Sequence, residues 1–212
     1  MGRILSDFLI ALSAVFFVVD PVAVVPIFLA MTRRDSPEKA RRMASRACLV
    51  AAGLLTFFAL FGTVLFQVFG ITLSSFRVAG GVLLLVTSLD MLRATPAATR
   101  TSPAETAEGV AKDDIALVPL AMPLLAGPGA MATVVVLMAR DQSPVTTTIS
   151  VLVSIALTFI ASYVILRGAT VVQRFLGQGG LAMLERVMGL LLAAIAIQFI
   201  AAGGRELLSK AL

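Results

Sequence analysis

An all-α, polytopic membrane fold is what this sequence predicts: six transmembrane helices in two inverted three-helix repeats, with helices 1 and 4 discontinuous. Three observations lead there. The chain of 212 residues is 59% hydrophobic and only 14% charged. Its apolar runs repeatedly reach the ~20 residues needed to cross a bilayer. Two of those runs carry a proline step near the middle, Asp20-Pro21 and Gly127-Pro128.

The elements follow in order. The first run, 8–32, holds Asp20 and continues well beyond a signal-peptide core, so no cleaved leader is expected. A basic loop with Arg33, Arg34, Lys39, Arg41, Arg42 and Arg46 leads to the second run, 44–69. The third, 73–92, opens on Phe76-Arg77-Val78-Ala79-Gly80-Gly81. Segment 94–114 is rich in Ala, Thr and Pro and reads as a flexible linker between repeat one (1–93) and repeat two (115–212). The fourth run, 115–139, is broken at Gly127-Pro128. The fifth, 147–166, is joined to the sixth, 182–202, by a glycine-containing turn at 174–180. Together they use most of the chain, which makes a single membrane domain.

Charge gives an orientation. If the loop holding Arg33 to Arg46 is cytoplasmic, so are the loops carrying Arg93, Arg100 and Lys112 and carrying Arg167, Arg174 and Arg186. Of the 17 basic residues, only Arg3, Arg77, Arg140, Arg205 and Lys210 then lie on the other side. The positive-inside rule therefore places both termini outside the cytoplasmic membrane. This asymmetry accounts for the net charge of +5, and the chain shows no soluble basic face for nucleic acid. Cys48 is the single cysteine and there is no histidine, which argues against haem, a zinc hydrolase and a Ser-His-Asp triad. No cofactor, no metal and no enzyme activity are expected.

The inverted repeat rests on matched positions. From Pro21 to Pro128 and from Arg33 to Arg140 the offset is 107; from Arg77-Val78 to Arg186-Val187 it is 109. Three crossings per half reverse the second half relative to the first, as in many secondary transporters. Arg77 and Arg186, in matching places, could guard two cavity mouths, pair with acids or snorkel to the interface.

The breaks carry the chemistry. At ~1.5 Å rise per residue, both lie within a few ångströms of the bilayer midplane. Pro21 and Pro128 suit the first turn of a new half-helix, where a missing N–H costs nothing. The amides beyond them, of Val22, Ala23 and Val24 and of Gly129, Ala130 and Met131, are then expected to stay unpaired and to face a carboxylate-binding site. Ala126, Gly127, Gly129 and Ala130 leave room there for a small solute. An ionised Asp20 at mid-membrane costs about 3 kcal/mol or more, so it needs a role. It could meet the ammonium of a zwitterion, ligate Na⁺, take up a proton, or cap the half-helix. Thr133 could add a hydroxyl to the cavity, or bond back to its own helix.

Val19-Asp20-Pro21, the Phe76-to-Gly81 start of helix 3, Met122-Pro123-Leu124-Leu125-Ala126-Gly127-Pro128-Gly129-Ala130 and Arg186-Val187-Met188-Gly189 together resemble the MarC family of bacterial and archaeal inner-membrane proteins. The resemblance covers nearly the whole chain. It implies a six-helix transporter of glycine- or alanine-like amino acids, related to LysE-type exporters. The sequence holds no ATP-binding motif, so the energy is expected from an ion gradient, H⁺ or Na⁺, or from exchange. The family's antibiotic-resistance name does not imply drug efflux. Efflux of amphiphiles, a channel and a non-transporting scaffold are the alternative functions.

Overall fold

A computed structural model describes residues 2–93, 116–139 and 144–211. The proposed linker 94–114, together with Arg100, Lys112 and Arg140, lies outside the described residues. Seven α-helices and one π-helix make up the described chain: α1 (Gly2–Val19), α2 (Pro21–Met31), α3 (Pro37–Val68), α4 (Leu73–Leu92), the π-helix (Ala116–Leu125), α5 (Pro128–Met138), α6 (Pro144–Arg167) and α7 (Ala169–Ala211). No strand occurs among the described residues.

Among the described residues, five stretches are long and apolar enough to cross a membrane: Leu5–Met31, Pro37–Val68, Leu73–Leu92, Val145–Arg167 and Gly179–Ser209. The remaining expected crossing, the fourth run at 115–139, is not a helix of that kind. It is divided between the π-helix and α5, an apolar helix of 11 residues, too short to cross alone. Many large apolar side chains lie on the outside of the bundle, among them Leu49, Val68 and Val164, as a lipid-facing surface requires.

Helix ends depart from the hydropathy boundaries. Helix α3 begins at Pro37, where the Ser36 hydroxyl accepts from the Lys39 amide at 3.3 Å, so most of the expected basic loop is helical. The expected turn at 174–180 is present as a kink at Gly177, where φ 64° and ψ 178° separate two helical stretches of α7 and suit glycine. Hydropathy registers the bilayer, while a helix continues into water as long as its caps and backbone allow.

The packing is reciprocal. Helix α3 packs on α6, and α4 runs along α7 in the most extensive contact of the fold. Helix α1 packs on α6 as the π-helix packs on α3, and α2 packs on α7 as α5 packs on α4. Helix α2 also meets α6, as α5 meets α3. The α4–α7 seam depends on glycine. A Cβ on Gly203 would meet the Ser74 carbonyl oxygen at 2.7 Å, and one on Gly81 the Ala196 carbonyl oxygen at 2.9 Å. Backbone cannot yield as a side chain can, so these contacts hold the helices at small-residue distance. Across the same seam Arg77 pairs with Glu206 at 3.2 Å, which is the acid-pairing role among those open to Arg77.

Gly203→Ala should therefore destabilise the protein by about 1–3 kcal/mol through overpacking. Gly53→Ala is its control: a Cβ there meets nothing within 4 Å, so the change should be neutral or stabilising by up to about 1 kcal/mol. Thermal unfolding of the two purified variants in one detergent checks both; equal melting temperatures would refute the seam argument.

Candidate functional site

Pro21 supplies no N–H and disfavours right-handed helix at the residue before it. Asp20 answers by adopting φ 47° and ψ 66°, left-handed geometry that costs an L-residue roughly 1–2 kcal/mol and that Asp tolerates better than most. Its own N–H still donates to the Phe16 carbonyl at 2.9 Å, so one residue closes α1 and opens α2. Its Oδ1 accepts from the Ala23 amide at 3.4 Å, a long capping bond. The carboxylate is thus a cap, and it is also deep inside the protein at 3% exposure. Pro21 and Val24 are buried beside it, while Val22 and Ala23 are half-buried.

The second break uses extended backbone in place of left-handed backbone: Gly127 has φ −72° and ψ 167°. Upstream, the Ala126 amide reaches the Ala121 carbonyl at 2.9 Å, a five-residue step that matches the π-helix before it. Downstream, the amides of Ala130 and Met131 both donate to the Gly127 carbonyl, at 2.9 and 3.1 Å. The expectation of three open amides after each proline is therefore corrected. Ala130 and Met131 are satisfied by the cap residue and Ala23 by Asp20. Among the amides considered at the second break, Gly129, second in its helix, has no carbonyl in helical register upstream.

The two broken segments lie antiparallel, with α1 packed on α5 and α2 on the π-helix. The breaks consequently lie at a similar level of the bundle. At the second lies a small cavity of ≈ 40 Å³, lined by Gly127, Pro128, Gly129 and Ala130 with Val18 of α1, Leu124 of the π-helix, Leu83, Leu84 and Thr87 of α4 and Leu192 of α7. That volume holds about three waters. A Cβ on Gly129 would collide with the Leu84 side chain, so glycine here is what lets α4 approach the break. Val18, two residues before Asp20, links this cavity to the first break, but Asp20, Pro21, Val22, Ala23 and Val24 do not line it. Ala126 is fully buried behind it.

Thr133 is fully buried, and its hydroxyl donates to the Gly129 carbonyl at 2.8 Å. It supports the first turn of α5 and does not line the cavity. A feature that the sequence analysis did not single out is a row on α6: Ser150, Ser154, Thr158 and Ser162, all buried. Spaced by four, they share one face. The Ser154 and Ser162 hydroxyls donate back to Ser150 and Thr158 carbonyls at 2.7 and 2.8 Å, whereas the Thr158 hydroxyl has no partner among the described atoms. The four-residue spacing of hydroxyls was the signal available in the sequence. Among the described residues no group of His, Cys, Asp and Glu is placed to hold a metal ion.

Known proteins give the chain its relatives. It is 38% identical over 201 residues to a UPF0056 membrane protein of Methanocaldococcus jannaschii, an alignment covering 95% of this chain and 97% of that one. It is 34% identical to a UPF0056 membrane protein of Aquifex aeolicus, over 95% and 94% of the two chains. It is also 34% identical to the UPF0056 membrane protein YhcE of Escherichia coli, over 89% and 87%. No solved structure matches. The family model for the MarC family integral membrane protein matches residues 5–208. With its apolar helices, its broken segments and nearly its whole length accounted for, the chain belongs to the MarC family of integral membrane proteins.

Proposed function

We infer that this multi-pass membrane protein is a secondary transporter of small neutral amino acids, glycine- or alanine-like, working by alternating access. One observation carries the reading: two mid-segment helix breaks packed antiparallel at a similar level, a buried carboxylate at one and a glycine-lined cavity at the other. Irregular backbone inside a bilayer is tolerated where it is buried in protein or lines a polar route. Six crossings in two inverted repeats are part of the proposal, supported by the reciprocal packing and by the matched prolines and arginines. So are the cytoplasmic membrane as location and both termini outside, which rest on the distribution of basic residues.

In this mechanism the substrate carboxylate lies against the Gly129 amide at the start of α5. Asp20, outside the lining of the closed cavity, meets the ammonium group, or the coupling H⁺ or Na⁺, once the repeats move, while keeping its cap. Rocking of one repeat against the other exposes the breaks to either side in turn. The cavity's size and its aliphatic lining suit a small solute. Efflux of amphiphiles would call for a wide, aromatic-lined space, and neither Val18, Leu83, Leu84, Leu124 nor Leu192 supplies one.

Proteoliposomes should take up labelled glycine and alanine saturably, with faster uptake when unlabelled alanine is trapped inside. Uptake no higher than in empty vesicles rejects the transporter. Asp20→Gly keeps the left-handed backbone and removes the charge; it should cut uptake at least about tenfold, the worth of one lost charged hydrogen bond. Asp20→Asn with unaltered kinetics would reduce Asp20 to a cap. Gly129→Ala, which narrows the cavity against Leu84, should lower alanine uptake more than glycine uptake; an equal effect on both would contradict the proposed pose.

A further inference from the structure

A second and larger space lies at the end of the bundle, away from the breaks. It is a cleft of ≈ 780 Å³ between the end of α2, the start of α3, the end of α6 and the start of α7. Its rim carries Arg33, Arg41 and Arg167 and one acid, Asp35. The Asp35 carboxylate is already engaged by Lys39 at 2.8 Å, so it does little to neutralise the three guanidinium groups. Helix dipoles do not decide the field either, since two helix starts and two helix ends meet here with opposed partial charges. The floor is apolar, with Leu29 and Leu166 in the lining.

We propose that this cleft binds the phosphate headgroup of an anionic phospholipid, with the acyl chains leaving along the apolar floor. Guanidinium groups recognise phosphate oxygens through paired, charge-assisted hydrogen bonds. Basic pockets between helices at the membrane–water boundary are suited to such headgroups. A free phosphate ion would satisfy the arginines and leave the apolar floor without a partner, which is why a lipid is the better occupant. The three arginines come from two distant parts of the sequence, the α2–α3 junction and the end of α6, so a headgroup held by all three would tie those elements together.

The test compares thermal unfolding of the full chain in detergent with added phosphatidylglycerol, phosphatidylcholine or inorganic phosphate. Phosphatidylglycerol should raise the melting temperature by roughly 5 °C, and the other two should not. Arg33→Gln/Arg41→Gln should lose at least half of that shift, and Arg167→Gln should reduce it. Arg34→Gln/Arg42→Gln removes the same charge from the same stretch, at exposed positions outside the cleft lining, and should retain the shift. Because all these side chains are exposed, the lipid-free melting temperatures should remain close to that of the parent. Equal shifts in the two double variants would overturn the proposal in favour of diffuse surface charge. An equal response to phosphatidylcholine would remove the headgroup from it, and an equal response to inorganic phosphate would make the occupant a free anion.

Discussion

Every polar backbone group in a bilayer has to be satisfied from within the protein, and the prolines at 21 and 128 each interrupt the helical ladder inside an apolar segment, leaving carbonyls upstream without their helical donor. The architecture around them follows from this constraint. Asp20 bends into left-handed geometry and turns its carboxylate back on Ala23. Gly127 instead stays extended and lends one carbonyl to two amides, after a π-helix has lengthened the preceding turn. Both are repairs to a broken ladder. They differ because one break has an acid available and the other has only glycine.

Repairing the breaks does not bring them together; packing does. Small residues let helices approach closely enough for the gap to be enclosed by side chains from elsewhere. Gly80 faces Ala132, Gly129 faces Leu84 and Gly62 faces Val135, so α5 is held by glycines on two neighbouring helices as well as by its own. The glycines of the α4–α7 seam then fix where Leu84 and Leu192 can stand. In a medium as apolar as the side chains themselves, such close fitting supplies cohesion that the hydrophobic effect provides in water.

The sequence was most legible where one local rule acts alone. Segment 73–92 is helical over the expected range because its ends are marked by Thr72, which caps it, and by the charge at Arg93. The start of α3 was less legible, because hydropathy stops reporting at the membrane surface while the hydrogen-bonded ladder continues. The pairing of the Ala130 and Met131 amides was out of reach for a different reason. It depends on the ψ of Gly127, which a glycine leaves undetermined. Thr133 and the α6 hydroxyl row show the same division: the residue types were visible, but whether a hydroxyl bonds to its own helix or faces a neighbour depends on that neighbour.

By itself the sequence determined that the chain spans a membrane with apolar helices, where two of its segments must break, and that an acid stands at the first break. Those facts rest on run length and on proline's missing donor, which act within a turn or two of the residue concerned. Only the tertiary structure decided that the broken segments run antiparallel with their gaps at a similar level, that the cavity opens beside Gly129 and not around Asp20, and that three arginines share a cleft. Each of those requires residues far apart in sequence to be brought within contact distance, and no local preference carries that information.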